Sequence, residues 1–160
     1  IDAWQRTEPD MLWFLDADLL TFEKIPMSWL EHIIPDTAFT SYLGRPKKGF
    51  SETGFITFNL ALPHAKKFFA RWQEYYDKDL WQNLKGFTDS FTYDAARIDT
   101  TPRYLDNDLN DGRFLGYRGS KHPFINSELG EYMDHLKGDR KDAKNSKDSL
   151  KVKWDHDHWK

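Results

Sequence analysis

Two aspartates that stand one residue apart, Asp16 and Asp18, directly follow the apolar run "MLWFL". Carboxylates this close repel each other, and an apolar strand beside them adds a cost of desolvation. A divalent cation would offset both effects, and oxygen ligands suit Mg²⁺ or Mn²⁺, which also bind substrate phosphates. The pair is therefore predicted to bind Mg²⁺ or Mn²⁺. The alternative is that both residues form a turn or cap a helix after the strand.

The D-x-D spacing occurs four times in the chain, and only the first follows an apolar strand. "DKD" closes a predicted surface helix, and "DHD" lies in the terminal segment "WDHDHWK". The remaining pair, in "DNDLNDG" from Asp106, resembles a calcium-binding loop at first sight. Such a loop needs Gly at its sixth position and Glu at its twelfth, where this chain has Asp111 and Tyr117. We therefore interpret it as an Asn/Asp-rich turn.

Strand-like and helix-like segments alternate along the chain, which predicts an α/β domain. In open α/β sheets, ligands bind beyond the carboxyl ends of strands, and Asp16 and Asp18 lie at such an end. The predicted strands are Met11–Leu15, of the buried parallel type, Thr37–Leu43 and Gly54–Leu60. The predicted helices are Pro26–Ile34, Pro63–Asp79, Thr88–Ile98 with Thr88 as N-cap, and Ser127–Lys137, whereas Arg103–Lys121 is predicted to be an irregular loop.

Two of the predicted helices carry apolar side chains at helical spacing, which is typical of a face packed against a core. The helix after Pro63 has Ala65, Phe68, Phe69, Trp72, Tyr75 and Tyr76 on one stripe, and the helix after Ser127 has Leu129, Tyr132, Met133 and Leu136.

Four segments, in this order, resemble one family of enzymes. "LWFLDADLL" resembles the D-x-D strand of GT-A glycosyltransferases, in particular the "LDAD" segment of family 8, the glycogenin and lipopolysaccharide galactosyltransferase type. "FSETGFITFNL" is similar to the family's "FNAG…NL" strand; Gly54 and Asn59 match, and Glu52 stands where the family has Asn. "FTDSF" resembles the acidic "QD" motif at Asp89.

The last segment, "HLKGDRK", fits the family motif H-x-x-G-x-x-K at His135, Gly138 and Lys141. Asp142 and Ala143 follow where the family has Pro-Trp. A closer resemblance, residue by residue, is to bacterial and viral glycosyltransferase-like proteins that carry "ECGF", "DSFVFD" and "NSxLGxYMDHLKGxRK".

The resemblance implies a role for each matching residue. Asp16, Asp18 and His135 would hold Mn²⁺ or Mg²⁺. Asp89 and Glu52 would be the catalytic carboxylates near the sugar, with Asp89 favoured at the reacting carbon, and the substrate-binding residues would be Lys141 at the diphosphate, Gly138, Gly54 and Asn59. Three simpler interpretations remain open: His135 at a helix dipole, Lys141 as a cation of the tail, and Glu52 as a loop carboxylate.

The resemblance also implies a GT-A-like, Rossmann-like mixed sheet with flanking helices, of which this chain is the C-terminal portion. The expected domain spans 1–142, and 143–160 is a charged tail. The expected activity is metal-dependent transfer of a hexose-type sugar from a nucleoside diphosphate sugar to a glycan, lipid or protein acceptor. The alternatives are a non-catalytic GT-A-like module that binds nucleotide sugar or carbohydrate, and a metal-dependent nucleotidyltransferase.

Composition limits the classes of function. The chain has 160 residues, 16% aromatic and 31% charged, with a net charge of −3, which fits one folded domain and gives no basic excess for nucleic acid. No apolar run is long enough to span a membrane. Cysteine is absent, which excludes disulfides, thiolate metal sites and a cysteine nucleophile. We expect a cytoplasmic location, with which the absence of cysteine is compatible.

Overall fold

A computed structural model of the protein describes residues 11–45, 49–110 and 123–135. These residues form a mixed α/β fold, which confirms the predicted α/β class. The strands are β1 (Met11–Leu15), β2 (Leu19–Thr21), β3 (Thr40–Leu43), β4 (Glu52–Asn59), β5 (Asp106–Asp108) and β6 (Met133–His135). The α-helices are α1 (Met27–Ile33), α2 (His64–Asp77), α3 (Asp89–Thr100) and the short α4 (Pro123–Asn126). Single 3₁₀ turns span Leu80–Asn83, Arg103–Leu105 and Glu128–Glu131.

Four strands form a mixed sheet in the order β1-β4-β3-β5. The β1–β4 and β3–β4 pairs are antiparallel, and β3–β5 is parallel. Strands β2 and β6 form a separate antiparallel ribbon in which Leu19 lies opposite His135. Since β2 follows β1 after only three residues, this ribbon brings the end of β6 beside the end of β1.

The prediction that Met11–Leu15 is a buried parallel strand is wrong in both respects. Strand β1 is antiparallel to β4, its one partner among the described residues, and it lies at the edge of the sheet. Met11, Phe14 and Leu15 are accordingly 39%, 42% and 47% exposed. A continuous apolar run indicates a strand, but it does not tell which position in the sheet the strand takes.

Strand β4 is buried along its whole length. Its register with β3 is irregular near its start: regular pairing would place Leu43 opposite Phe55, but Leu43 pairs with Glu52. Phe55 packs in the core on the α1 side, whereas Thr53 bonds to Ser90 of α3 on the other side. Such irregularities re-aim side chains, and here the result is that Glu52 points away from α3.

Two apolar clusters cover the two faces of the sheet. Helices α2 and α3 pack on one face, where the Phe58 ring lies 5.3 Å from Phe68. The predicted stripe of α2 packs against this cluster, with Trp72 at its margin. The exception is the last residue of the stripe, Tyr76, which is 49% exposed. The second cluster joins the sheet to α1 and to the segment around β6; its buried members are Ile33, Ile34, Leu43, Phe55, Leu109, Phe124, Leu129 and Met133.

The predicted helix Ser127–Lys137 is wrong. Its first part is the 3₁₀ turn, and Met133–His135 is strand β6. The apolar spacing is the same, but pairing with β2 satisfies the backbone of this segment in place of helical bonds. The tertiary partner therefore outweighed the local pattern.

The predicted loop Arg103–Lys121 is wrong in its described part, which holds a 3₁₀ turn and strand β5. The sequence of β5, Asp-Asn-Asp, has low strand propensity. It pairs with β3 nonetheless, and Asn107 Nδ2 adds bonds to Ser41 Oγ of β3 and to Ile33 O of α1, at 2.9 Å each.

Three further features complete the fold. Thr88 takes the N-cap position of α3 with an extended backbone, but its side chain makes no capping hydrogen bond. The predicted tail, 143–160, lies outside the described residues. Within the described ranges, none of the helices combines the length and the apolar character that crossing a membrane requires.

Candidate metal centre

The D-x-D pair lies in the tight connection between β1 and β2. The Asp16 backbone N–H donates to Gly54 O at 3.0 Å, which continues the β1–β4 pairing by one residue. The chain then turns, and Leu19 N donates to Asp16 O at 3.1 Å. Within the turn, Ala17 N donates to Asp16 Oδ1 at 2.9 Å. The side chains of Asp16 and Asp18 are 41% and 29% exposed, so the pair opens to solvent.

His135 meets this pair from the other end of the chain. It is the last residue of β6, and its side chain is completely buried. Its Nε2 lies 2.6 Å from Asp18 Oδ1 and 3.3 Å from Asp16 Oδ2. One ligand atom from each of the three residues lies within 4.8 Å of the other two. The fold thus brings together the three residues that the sequence predicted as metal ligands.

The chemistry of this donor set fits a divalent cation. Two carboxylates and one imidazole nitrogen converge on one point, as in sites for borderline and hard metal ions. The imidazole is the buried donor and the two carboxylates face solvent, so an ion held here would keep positions for water or for substrate oxygen. The turn interpretation also applies to this pair, because Asp16 accepts a bond from its own turn.

Glu52, predicted to be a catalytic carboxylate near the sugar, lies behind the imidazole instead. It is the first residue of β4 and its side chain is completely buried. Its Oε1 lies 2.9 Å from His135 Nδ1, and its Oε2 lies 2.7 Å from Arg45 Nη2. Glu52 therefore contacts the side of the ring that faces away from the aspartates.

Gly54, predicted to bind substrate, provides the space that the imidazole ring occupies. A Cβ atom at this position would lie 2.6 Å from His135 Cε1, and closer still to Nδ1. It would also lie 3.2 Å from Glu52 Oε1. Any larger residue must therefore displace the ring.

Asp89 lies at the same end of β4 as the cluster, on the side of α3. It is the exposed first residue of that helix, a position that favours a negative charge. Thr53 Oγ1 donates to Asp89 Oδ2 at 2.9 Å, and Thr53 directly follows Glu52. An exposed carboxylate is thus held beside the strand end that carries the centre.

Asn59, predicted to bind substrate, is not part of the centre. It ends β4 opposite Met11, roughly 23 Å along the strand from Glu52 at the usual rise per residue. Its Nδ2 donates to Asp36 O at 3.1 Å, and its Oδ1 accepts from Ala61 N at 3.0 Å. The side chain therefore bonds within a turn at the far end of β4. Gly138 and Lys141, the other predicted substrate-binding residues, lie outside the described residues.

Arg45 is the residue of this region that sequence reasoning missed. It lies just after β3 in the turn-like "GRPKKG", with a side chain that is 19% exposed. Its guanidinium also lies 5.6 Å from the centre of the Phe50 ring. The only signal available was the burial rule, because a carboxylate inside the core needs a cationic partner. That rule applies only once Glu52 is known to be buried.

A second polar network connects the start of β4 to α3. Ser51 donates to Asp94 through its N–H at 2.6 Å and through Oγ at 2.7 Å. Arg97 lies 3.0 Å from Asp94 and 2.5 Å from Asp106. Burial raises the pKa of Asp106, although the Arg97 guanidinium opposes this effect. The network ties strand, helix and β5 together, and its carboxylates are mostly buried.

Comparison with known proteins gave no match, whether to family models, to curated proteins or to solved structures.

Proposed function

We propose that this chain is a GT-A-like, metal-dependent glycosyltransferase that moves a sugar from a nucleoside diphosphate sugar to an acceptor. The observation that carries the proposal is the meeting of His135 Nε2 with Asp18 Oδ1 at 2.6 Å, across 117 residues of sequence. The family resemblance requires this particular contact, and neither the turn interpretation of the D-x-D pair nor a helix-dipole role for His135 requires it. The mixed sheet with helices is compatible with a GT-A-like fold.

Asp16, Asp18 and His135 would hold Mn²⁺ or Mg²⁺. Mg²⁺ sites are built almost entirely from oxygen, so the imidazole donor favours Mn²⁺. When bound, such an ion stabilises the charge that grows on the departing diphosphate. The two aspartates are exposed enough to meet a phosphate group through this ion, and the buried imidazole is not.

Asp89 is the carboxylate that we assign to the sugar. It is exposed and lies at the same end of β4 as the metal ligands, and Thr53 fixes one of its oxygens at 2.9 Å. A carboxylate held in this way would accept a proton from the acceptor hydroxyl or face the positively charged reacting carbon. Lys141 at the diphosphate and Gly138 at the following turn stay predictions from the resemblance.

The test is calorimetric titration of the protein with a panel of nucleoside diphosphates, with and without Mn²⁺. We expect binding that requires Mn²⁺ and that is lost in Asp18→Asn. Asp77→Asn is the matched control, because Asp77 belongs to another D-x-D pair and is exposed at the end of α2. Release of nucleoside diphosphate from nucleotide sugars would then identify the donor.

Two results would contradict the proposal. Mn²⁺ binding without any nucleoside diphosphate binding at millimolar concentration would favour a non-catalytic module. Turnover of nucleoside triphosphates with release of pyrophosphate, and none of nucleotide sugars, would favour a nucleotidyltransferase.

A further inference from the structure

Both ring nitrogens of His135 face carboxylates, but the two carboxylates differ in their surroundings. Nε2 faces Asp18, whose side chain is 29% exposed. Nδ1 faces Glu52, whose side chain is completely buried and which pairs with Arg45 at 2.7 Å. The ring therefore lies between a carboxylate open to solvent and one held in the core.

We propose that Arg45 and Glu52 form a positioning pair that fixes the tautomer of His135. Glu52 accepts from Nδ1–H, so that Nε2, which donates to Asp18 in the metal-free protein, is the nitrogen that binds a divalent cation once the ion displaces its proton. The inference rests on the proposed function only in taking this cluster as a metal site. It changes the role of Glu52 from a carboxylate at the sugar to a group that acts through His135.

The tautomer of a metal-binding histidine is set by the hydrogen bond of its other ring nitrogen. At 2.9 Å, Glu52 Oε1 is within hydrogen-bond distance of Nδ1, and an ionised carboxylate can only accept. Arg45 offers only donors, and it occupies Oε2 of Glu52 at 2.7 Å while Oε1 faces the ring. The pair therefore leaves Nδ1 one role, that of donor.

The local charges match this division of roles. Arg45 carries the charge opposite to Glu52, and Asp16 and Asp18 present carboxylates on the side where a divalent cation would bind. The ring also has little freedom to leave its position. Gly54 contacts one side of it, and the Phe124 ring lies 5.9 Å from it in an edge-on arrangement.

Glu52→Gln tests the proposal because it keeps the size of the side chain and reverses its hydrogen bonding. Arg45 offers only donors, and its charge at 2.7 Å outweighs the longer bond that the Gly54 N–H donates to Glu52 Oε1 at 3.3 Å, so the amide oxygen turns toward Arg45 and the amide NH₂ toward Nδ1. Nδ1 then becomes the acceptor and Nε2 holds the only ring proton, so a metal ion can bind Nε2 only by moving that proton to a nitrogen that faces an NH₂ group. We expect Mn²⁺ affinity, measured by calorimetry with MnCl₂ alone, to fall about 10- to 100-fold.

The double variant Arg45→Met/Glu52→Gln sharpens the test. Without the arginine donors the amide is free to turn, so that its oxygen accepts from Nδ1 again. We expect Mn²⁺ affinity to recover toward that of the wild type, although two groups beside the centre have been changed. A purely structural role predicts the opposite, because the double variant would then be the most damaged of the set.

Nitrogen NMR of the His135 ring in the metal-free protein gives a second measurement, with His135→Asn for assignment. We expect a protonated Nδ1 in the wild type and an unprotonated Nδ1 in Glu52→Gln. An unprotonated Nδ1 in the wild type would overturn the inference even if Glu52→Gln failed to fold. Equal Mn²⁺ affinity in folded Glu52→Gln and the wild type would overturn it as well.

These outcomes separate this inference from the proposed function. Mn²⁺ binding with the expected loss in Glu52→Gln, but no nucleoside diphosphate binding, would support the positioning pair and reject sugar transfer. A wild type that binds no Mn²⁺ would overturn both.

Discussion

Two acidic clusters flank the start of β4, and they differ in how their charges are satisfied. Around Arg97, the carboxylates of Asp94 and Asp106 are each 14% exposed, and protein groups bind them: Ser51 donates twice to Asp94, and the guanidinium reaches both. In the metal centre, Asp16 and Asp18 are two to three times more exposed.

The partners of the two clusters also differ. The Arg97 guanidinium is the permanent cation shared by Asp94 and Asp106, and it lies 4.3 Å from the centre of the Tyr42 ring. The aspartates of the metal centre meet an imidazole, which carries charge only when protonated. The difference teaches that a fold can hold acidic residues in two ways, around a permanent cation as in the Arg97 network, or around an imidazole nitrogen that can also bind a metal ion as in the metal centre. The Arg97 network therefore connects secondary-structure elements, whereas the metal centre has the donor set of a ligand site.

The most complete expected effect on function is the loss of metal binding on removal of one ligand. His135→Ala and Asp18→Ala should each abolish the thermal stabilisation that Mn²⁺ gives the wild type, worth about 2.7 kcal/mol when Mn²⁺ is at a hundred times its Kd. The measurement is a thermal melt with and without Mn²⁺. If His135→Ala kept the stabilisation, His135 would be removed from the ligand set.

Breaking the other cluster should change stability and leave metal binding unaltered. Arg97→Met leaves two mostly buried carboxylates without their cation, which costs about 3–5 kcal/mol of the free energy of unfolding. Urea unfolding measures this loss. The matched control is Arg71→Met on the surface, where Arg71 pairs with Glu74 and Asp99 and the expected cost is about 0–1 kcal/mol. Mn²⁺ affinity weakened by Arg97→Met at a temperature where the variant is folded would contradict the distinction between the clusters.

Gly54→Ala tests whether the space beside the imidazole matters for the metal. The added methyl must displace the His135 ring, so we expect at least a tenfold loss of Mn²⁺ affinity, or about 1.4 kcal/mol. Gly86→Ala is the matched control, since its Cβ would lie 2.8 Å from Phe91 Cδ2 and meets no metal ligand there. Both variants should lose stability, and only Gly54→Ala should lose Mn²⁺ affinity by calorimetry. An equal affinity in both would show that the ring adapts.

The smallest expected effect is the pH dependence of stability that Asp106 contributes within the Arg97 network. Because burial raises the pKa of Asp106 in the folded state, folding favours the protonated carboxyl. The resulting stabilisation is fully present below the unfolded pKa and is lost as pH rises through the folded pKa. The stability of the wild type relative to Asp106→Asn should therefore be greater near pH 4 than near pH 7, as measured by urea unfolding. A difference that grows with pH would mean that Arg97 outweighs burial.

The sequence was sufficient for the parts of the site that depend on local pattern. The apolar run before Asp16 indicated a strand with carboxylates at its end, and the apolar stripe of α2 indicated the core face of a helix. Asp89 was predicted at the start of a helix, where it lies. These features follow from periodicity and from the chemistry of strand and helix ends.

Other features depended on partners distant in sequence. Met133–His135 has a helical apolar pattern, but it is a strand because β2 offers backbone partners. Asp106–Asp108 has poor strand propensity, but it pairs with β3. Asn59 matched a family motif, but it lies at the far end of β4 from the metal centre.

The sequence by itself determined the α/β class, the placement of the D-x-D pair after a strand and the residue types that a divalent cation would need. Only the tertiary structure decided that Glu52 is buried behind His135, that Arg45 is its partner, and that Gly54 makes room for the ring. The physical reason is that burial and the pairing of charges are properties of contacts between distant segments. Local periodicity reports which face of an element is apolar, and it carries no information about which polar groups that face will meet.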